Sequence, residues 1–513
     1  MSSERKNLKK SMVFTASAVT VMMLGFKVLG FLKQSIIAYY FGATNETDFF
    51  FVALGFLTGS LGTIINSLSV STITSYTKTR FQEGKDKADR LINALIATGA
   101  ALLLLFIIFI LFFSPVLAKI LAPGYSKEEL SIIADYIRIL SPCYIFVCTQ
   151  FTLSAVLDSH KSFFAPRLET FIYSVISILF CIIFSKSLGV KSLLAAQIIA
   201  GFCFSLFLVL TSLKYHKFSF VNPFKVPEIK KVYASALPLI IGISVIQINE
   251  AVDKAIASGR GDGYASSVYY SQTLNQFVTA IIITNIGNIL LANFVEMVSK
   301  KEMDAVRMQL SKAINFMLCS LIAVSVITVV CAKDIVTIVF FRGNFSIEAV
   351  ETTSIALIGY AVGFTFIAIR EMLARGLYAF NDVKRAMISS IITIICNIVL
   401  SVVLAKHMGL LGITLGTCFA NVLGMIVNSF FLKKYINDYP FGYHIISVLK
   451  CVPVAIVLFV FCFAIQKAGL ANPLVRFVLS SGVGLLFYVT MLYLLRVREV
   501  KEVIEKILSR IRK

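Results

Sequence analysis

The chain has 513 residues, of which 58% are hydrophobic and only 15% are charged. A soluble protein of this length carries about a quarter charged residues, so the composition excludes a soluble enzyme, a disordered chain and a secreted disulfide scaffold. The formal net charge of +21 would indicate nucleic-acid binding in a soluble protein. In a membrane protein it reflects the Lys and Arg residues that collect in cytoplasmic loops.

Membrane-spanning helices are predicted wherever about 20 mostly apolar residues follow one another. This rule gives fourteen spans joined by short loops. In chain order they are 11–41, 49–77, 91–113, 130–157, 165–184, 189–213, 233–257, 266–295, 313–340, 347–374, 386–405, 409–432, 451–466 and 475–495.

The basic residues of the loops predict the orientation. With the N-terminus in the cytoplasm, the cytoplasmic segments carry 33 Lys or Arg residues and the opposite loops carry 11. Because cytoplasmic loops are enriched in Lys and Arg, we expect both termini in the cytoplasm. The short loops leave no extramembrane domain for catalysis, and there is no Gly-rich loop of the GK[ST] type for an ATP motor. The protein is therefore not expected to be an enzyme.

The first twelve spans form an internal repeat. Ser126 follows the third span and Ser346 the ninth, and a glycine comes 63 residues later in each case, Gly189 and Gly409. Each interval holds two spans and a short polar turn. Two six-span units of the same orientation are parallel repeats, and transporters place their substrate between such halves. We therefore predict an all-α polytopic membrane protein with about fourteen spans in two parallel six-helix lobes and a C-terminal helix pair. The boundaries are 1–215 for the N-lobe, 216–440 for the C-lobe, and 441–513 for the helix pair with its basic cytoplasmic tail.

Charged residues inside apolar spans usually face a cavity or a partner, and the first two spans hold three of them. Lys27 and Lys33 would point about 120° apart on a straight helix, and a bend at Gly25 or Gly30 would turn both toward one cavity. They predict a cationic site for an anionic group such as phosphate. The alternative is that Lys33 snorkels to the outer interface while Lys27 is paired structurally. Asp48 belongs either to this site or to the cap of the second span.

The seventh span ends in a cluster of charges. Glu250 and Lys254 are spaced i, i+4 in the order that favours an ion pair. Asp253 is left over and would bind a cation or a proton. The alternative is an ion-pair cluster at the membrane interface.

Two further features have structural explanations. Arg370 begins a charged helix end in the tenth span, where Glu371 and Arg375 again have ion-pair spacing. Gly55 and Gly59 have the spacing of close helix packing. The histidines and cysteines show no metal-ligand spacing, so no metal site is expected from them.

An ordered set of short segments resembles the MurJ/MviN family. The set opens with KVLGFLK at 27–33, AYYFGA at 38–43 and TDFFFVA at 47–53. It continues with LAPGYS at 121–126, DKAIAS at 253–258, the tyrosine pair at 269–270, FRGNF at 341–345, IREMLAR at 369–375, YAFND at 378–382 and NIVL at 397–400. The resemblance covers almost the whole chain. The family comprises lipid II flippases of the multidrug/oligosaccharidyl-lipid/polysaccharide exporter superfamily, with fourteen helices.

The resemblance implies a function in peptidoglycan biosynthesis and cell-wall biogenesis, and hence in cell shape. A member of the family would move lipid II, the undecaprenyl-pyrophosphate-linked peptidoglycan precursor, from the inner to the outer leaflet of the bacterial cytoplasmic membrane by alternating access. The implied partners are the lipid-linked glycan pyrophosphate, the bilayer and cell-wall synthesis proteins, and not nucleic acid. The alternatives are a flippase for another polyprenyl-pyrophosphate-linked oligosaccharide, of capsule, teichoic or O-antigen type, and a small-molecule antiporter.

The family holds the lipid pyrophosphate with cationic residues in a central cavity. Two of its first-helix arginine positions match Lys27 and Lys33, which keep the charge but lose the bidentate fork of arginine. The chain departs from the family at Leu61 and Gly62, where the family has an arginine pair, and at Thr273, where an arginine follows the tyrosine pair. These departures favour the alternative of another lipid-linked oligosaccharide.

Some members of the family resemble sodium-binding proteins, with ligands on the seventh, eleventh and twelfth helices. The matching positions here are Asp253, Asn397 and Thr417, and a second carboxylate position is occupied by Ser401. The resemblance thus implies coupling to Na⁺ or H⁺ and no other cofactor.

Overall fold

The computed structural model describes Met22 and residues 25–436 and 441–511, and the regular elements in these ranges are helices. The chain divides into two compact units, Met1–Gly259 and Arg260–Lys513. The helices of the first unit are α1 (residues 25–41), α2 (Asn45–Glu83), α3 (Lys85–Leu121), α4 (Lys127–Leu140), α5 (Val147–Ser159), α6 (Phe164–Arg167), α7 (Glu169–Leu188), α8 (Lys191–Ser212) and α9 (Glu228–Ala257).

The second unit continues the series with eleven helices. They are α10 (Tyr264–Val278), α11 (Asn285–Ser299), α12 (Met303–Val330), α13 (Ala332–Phe340), α14 (Ile347–Val362), α15 (Phe364–Ala379), α16 (Val383–Leu432), α17 (Phe441–Lys467), α18 (Pro473–Val478), α19 (Gly484–Leu494) and α20 (Arg498–Ile511). One wide π-helical segment, Thr279–Thr284, joins α10 to α11, and another, Leu479–Val483, joins α18 to α19.

The described helices have the length and polarity of a polytopic membrane protein. Nine of the described helical stretches are long and apolar enough to cross a bilayer; seven are single helices, and the other two are α4 with α5 and α18 with α19. The number rises to ten if α14 and α15, which meet at 44°, form one span. Their outer faces are apolar, and Phe112 of α3, for example, is 78% exposed. Such a surface is stable only against lipid or another protein. The prediction of an all-α membrane protein is confirmed, while the count of fourteen spans stays a prediction.

Thr44 caps α2, and this corrects one expectation for Asp48. The Thr44 side chain accepts a hydrogen bond from the Thr47 amide, and the Thr47 hydroxyl accepts one from the Thr44 amide. This reciprocal arrangement satisfies two amide groups that the helix leaves unpaired. The helix begins at Asn45, so Asp48 lies within its first turn and is not the capping residue.

Backbone conformations support the internal repeat. Gly189, between α7 and α8, has φ 54° and ψ −142°, and Gly409, inside α16, has φ 58° and ψ −134°. Lys161 and Asn381 also share a positive φ, 61° and 59°. The two residues of each pair are 220 positions apart in the sequence. Because non-glycine residues seldom adopt a positive φ, two matched turns at one spacing indicate two copies of the same chain path.

The fourth and tenth predicted spans are each interrupted at matching places. In the fourth, the 3₁₀ segment Ser141–Phe146 separates α4 from α5, and Pro142 in this segment has no amide hydrogen to donate. In the tenth, α14 ends at Val362 and α15 begins at Phe364 after a 44° bend. Each copy of the repeat therefore has a break at the matching place in its fourth span.

The eleventh and twelfth predicted spans are the two arms of α16, which reverses direction at Gly409. A Cβ atom at Gly412 would overlap the backbone of Leu404, and one at Gly416 would overlap Ser401. The two arms thus pack backbone to backbone, in the way that small residues permit in membranes.

The lobe boundaries stay a prediction. The compact units follow from the packing of the chain, whereas the predicted lobes follow from the sequence repeat. In the packing, α9, the seventh predicted span, belongs to the first unit, because it packs along α2.

Candidate substrate and ion sites

The two predicted cations of α1 differ in their surroundings. Lys27 is exposed and Lys33 is half-buried. The helix runs without a break from residue 25 to residue 41, so the two side chains keep a separation of about 120° around its axis. A Cβ atom at Gly30 would lie 3.5 Å from Cγ2 of Thr170 in α7. This glycine therefore gives room for the packing of α1 on α7.

Contacts with α7 fix the position of α1. The rings of Phe26 and Phe171 lie 5.5 Å apart, and Lys33 is within electrostatic range of the buried Cys181 thiol. Lys33 thus belongs to the side of α1 that packs on α7. Lys27 is the more accessible of the two predicted phosphate-binding residues.

The packing of α2 on α9 places polar side chains opposite glycines. A Cβ atom at Gly55 would lie 2.9 Å from Nζ of Lys254, and one at Gly59 would lie 3.1 Å from Oε1 of Gln247. The predicted close packing at these glycines is therefore real, and its partners are polar. Lys254 is buried, with 6% of its surface exposed. Burial of an ammonium group in a membrane is costly and is typical of functional positions.

Asp48 and the loop after α3 meet at one end of this packing. The Tyr125 hydroxyl donates a hydrogen bond of 2.8 Å to Oδ2 of the fully buried Asp48. Beside it, the amide of Gly124 donates to Oγ of Ser258, just past the end of α9, at 3.3 Å. A Cβ atom at Gly124 would overlap the backbone of Gly259. The loop thus fastens the first turn of α2 to the end of α9.

The sequence alone does not identify Tyr125 and Gln247 as partners of this region. Tyr125 lies in a segment that marks both the repeat and the family resemblance. Its pairing with Asp48 depends on the way in which two distant helix ends meet. No sequence signal singles out Gln247 among the polar residues of α9.

The other two charged residues at the end of α9 are Asp253 and Glu250, and each has its own prediction. Asp253 is buried, with 2% of its surface exposed, and its role as a proton or cation ligand stays a prediction. The side chain of Glu250 lies outside the described residues, so its ion pair with Lys254 stays a prediction.

The two arms of α16 bring Asn397, Ser401 and Thr417 together. Asn397 Nδ2 donates to Thr417 Oγ1 at 3.0 Å, and the Ser401 hydroxyl lies 2.6 Å from Asn397 Oδ1 and 3.0 Å from the carbonyl oxygen of Ile413. The donors of these described hydrogen bonds are an amide and a hydroxyl group, the acceptors are a hydroxyl, an amide and a carbonyl oxygen, and none of these groups is a carboxylate. Hard cations such as Na⁺ prefer carboxylate and carbonyl oxygens. The three side chains form a hydrogen-bonded junction between the arms of α16, and their role as sodium ligands together with Asp253 stays a prediction.

Arg370 has a structural role at the end of the tenth predicted span. Its guanidinium lies 2.8 Å from Glu371, and Arg375 lies 3.9 Å from the other oxygen of the same carboxylate. The carbonyl oxygen of Arg370 also accepts a hydrogen bond of 3.2 Å from Asn428 of α16. The ion pairs lie within α15, and the bond from Asn428 ties α15 to α16. Thr273, which occupies a family arginine position, donates its hydroxyl to the carbonyl oxygen of Tyr269 at 3.0 Å.

A buried histidine that the sequence does not single out fastens the connection between α8 and α9. The ring nitrogens of His216 lie 3.0 Å from Asp89 Oδ1 and 3.0 Å from Asn93 Oδ1, both in the first turns of α3. Asn93 also donates to the carbonyl oxygen of Lys217 at 2.9 Å. Burial lowers the pKa of His216, and its hydrogen bond to Asp89 opposes this effect. The connection between the predicted lobes is thereby held to α3.

Comparisons with known proteins agree with the fold and with the resemblance in the sequence. "Probable lipid II flippase MurJ" of Buchnera aphidicola subsp. Schizaphis graminum is 27% identical over 396 residues, which cover 76% of each chain. "Lipid II flippase MurJ" of Burkholderia cenocepacia is 27% identical over 439 residues, covering 80% of this chain and 82% of the relative. The solved structure "Lipid II flippase MurJ, inward closed conformation" matches with a TM-score of 0.80 and 18% identity, covering 93% of this chain and 98% of the other.

The family model described as "Lipid II flippase MurJ" matches residues 37–494. This range contains seven of the nine residues proposed above for substrate, ion or charge interactions, and Lys27 and Lys33 precede it. The match spans most of the chain and confirms the resemblance seen in the sequence. The chain therefore belongs to the lipid II flippase MurJ family.

Proposed function

We propose that the protein is a lipid II flippase, which carries the undecaprenyl-pyrophosphate-linked peptidoglycan precursor from the inner to the outer leaflet. The observation that carries the proposal is the family match over residues 37–494. Lipid II is a precursor of peptidoglycan, so the protein acts in peptidoglycan biosynthesis. The activity is transport and requires no catalytic residue.

Lys27 is the first residue that we assign to the substrate. Its side chain is exposed, whereas that of Lys33 is half-buried toward α7. An ammonium group next to a pyrophosphate gains more in a partly desolvated cavity than it does in water. Asp48, which was expected at the substrate site, is fully buried and accepts a hydrogen bond from Tyr125. We assign it to the fastening between α2 and α9.

This fastening supports a role in alternating access. Tyr125 and Gly124 hold α2 and α9 together at the ends that are predicted to face outward. An outward opening requires these two helices to separate there. The described part of this fastening includes two hydrogen bonds and a glycine contact, and hydrogen bonds of this kind can break and reform during transport.

The proton is the coupling ion that the described residues favour. Asn397, Ser401 and Thr417 satisfy one another by hydrogen bonds, and Ser401 replaces a carboxylate. Asp253 keeps its carboxyl group in a buried position of α9. A single buried carboxyl group can bind and release a proton without further ligands.

The proposed setting is the bacterial cytoplasmic membrane, with both termini in the cytoplasm. This orientation is supported by the distribution of Lys and Arg, because the predicted cytoplasmic segments carry 33 of these residues and the opposite loops carry 11. Enzymes that make or polymerise lipid II are the expected partners, because they supply and consume the substrate on opposite sides of the membrane.

Complementation tests the proposal. A bacterial strain conditionally depleted of its own lipid II flippase should grow when it expresses this protein and should lyse when it expresses an equal amount of the Lys27→Gln variant. Failure of the wild-type protein to restore growth, with normal amounts in the membrane, would contradict the proposal.

A second candidate is a flippase for another polyprenyl-pyrophosphate-linked oligosaccharide. It is favoured by the loss of three family arginines, at Leu61, Gly62 and Thr273. Depletion of the protein in its native host distinguishes the two. Accumulation of lipid II with lysis indicates the first function, and loss of a capsule or other surface polymer without lysis indicates the second.

A further inference from the structure

A half-open cavity of about 460 Å³ lies in the second unit, near the helix ends that are predicted to be cytoplasmic. Its walls are apolar. The apolar lining includes Ile314 and Leu318 of α12, Leu373 of α15, and Ile426 and Phe430 of the second arm of α16. The volume is within the range of sites that bind small molecules.

One end of this cavity carries a positive charge. Lys433, directly after α16, lies at the rim, and His444 of α17 lies beside it. His444 Nδ1 is 2.6 Å from Asn315 Oδ1 in α12, which fixes the position of the ring. Lys434 follows Lys433, and its ammonium group lies 5.8 Å from the ring centre of Tyr435. Lysine next to tyrosine is typical of the level of the lipid headgroups.

The cavity faces the lipid side of the helices. Phe430 is 69% exposed and Ile426 is 55% exposed, although both line the cavity. In a membrane these side chains are covered by acyl chains. A molecule that fills the cavity must therefore be apolar along most of its length and anionic at the end near Lys433.

We propose that this cavity binds a phospholipid of the cytoplasmic leaflet, with one acyl chain between α12 and α16 and an anionic headgroup at Lys433. Anionic lipids are concentrated in that leaflet and attract basic residues next to the membrane. The cavity accommodates a single acyl chain, whereas a polyprenyl tail is several times longer. The bound lipid would join α17, the first helix of the C-terminal pair, to α12, α15 and α16.

Lipid retention by the purified full-length protein tests this site. The protein is exchanged into detergent with equal amounts of phosphatidylglycerol and phosphatidylcholine, and bound lipid is measured by native mass spectrometry. We expect phosphatidylglycerol to be retained preferentially. Lys433→Gln should weaken its retention about fivefold, the contribution of one lysine near an anionic surface. Lys433→Arg should keep it.

Two further variants distinguish binding in the cavity from non-specific attraction of anionic lipid to surface lysines. Ser429→Trp places a large ring in the cavity and leaves Lys433 intact, and it should abolish retention. Lys384→Gln removes an exposed lysine at the start of α16 that does not line the cavity, and it should retain lipid as the wild type does. Equal loss in both lysine variants, or equal retention of the two lipids, would overturn the proposal.

A competition measurement identifies the occupant. Added polyprenyl phosphate should leave the bound phosphatidylglycerol in place. Displacement of the bound phosphatidylglycerol from the wild-type protein would show that the cavity takes the substrate tail, and this would overturn the phospholipid assignment. The measurement does not depend on transport, so its outcome is independent of the proposed flippase function.

Discussion

The ammonium group of Lys254 in α9 lies 2.9 Å from the position that a Cβ atom would occupy at Gly55 in α2. Because Gly55 has no side chain, it leaves space for the ammonium group of Lys254, the basic residue in the last turn of α9. A buried charge is stable only where its surroundings satisfy it. The lack of a side chain at Gly55 is therefore a condition for keeping Lys254 inside the protein.

Substitutions at Gly55 should reveal this condition. Gly55→Ala requires only a small shift of the flexible lysine, and the helical preference of alanine offsets it by about 1 kcal/mol, so stability should change little. Gly55→Leu should displace the ammonium and destabilise the protein by about 3–5 kcal/mol, measured by thermal unfolding in detergent. The control is Gly62→Leu in the same helix, where no described atom lies within 4 Å of the Cβ position. If combining Gly55→Leu with Lys254→Met restores no stability, the explanation is wrong.

Lys27 should be essential through its charge. Lys27→Ala and Lys27→Gln should abolish complementation at normal protein amounts. Lys27→Arg should keep or improve it, because arginine binds phosphate oxygens in bidentate fashion. The measurement is growth of the depleted strain together with membrane protein quantity. Transport by Lys27→Gln at the wild-type rate would show that Lys27 is structural.

The coupling ion should be the proton and not sodium. Transport into vesicles should be unchanged when choline replaces Na⁺, because the α16 junction contains no carboxylate. Asp253→Asn should impair transport and leave binding of the substrate largely intact. Ser401→Asp should introduce sodium dependence, since it places a carboxylate at the junction. Sodium stimulation of the wild type would contradict the assignment.

His216 should make stability depend on pH. Burial lowers its pKa in the folded protein, so below about pH 6.5 the unfolded chain takes up the proton more readily and stability falls as the pH falls. The wild type should therefore exceed His216→Gln in melting temperature at pH 8, and the difference should shrink toward pH 5. Melting curves in detergent at four pH values measure this. A difference that is constant across the range would rule out titration of His216.

The orientation can be measured with single cysteines at Thr44 and Lys85. The first position lies in a loop predicted to face outward, and the second lies at the start of α3, which is predicted to face the cytoplasm. A membrane-impermeant maleimide applied to whole cells should label the first and spare the second until the cells are opened. Labelling of both in intact cells would overturn the predicted topology.

The sequence by itself determined the membrane class, the helical content, the repeat and the family. Each of these properties depends on residues that are close together in the sequence. About 20 consecutive apolar residues are enough to predict a membrane span, and the repeat is visible from turns at matched positions such as Gly189 and Gly409. The family can be recognised from the order of its short segments in the sequence, without knowledge of which residues are in contact. The charged candidate residues of α1 and α9 can also be identified from the sequence.

Only the tertiary structure decided which side chains meet. Thr44, and not Asp48, caps α2, and Asp48 instead accepts a hydrogen bond from Tyr125, 77 residues away. Lys254 faces Gly55, and the two arms of α16 bring Asn397, Ser401 and Thr417 within hydrogen-bonding distance of one another. Each of these contacts depends on the rotation and register of one helix against another. Packing over many residues sets both, so no local sequence pattern contains them.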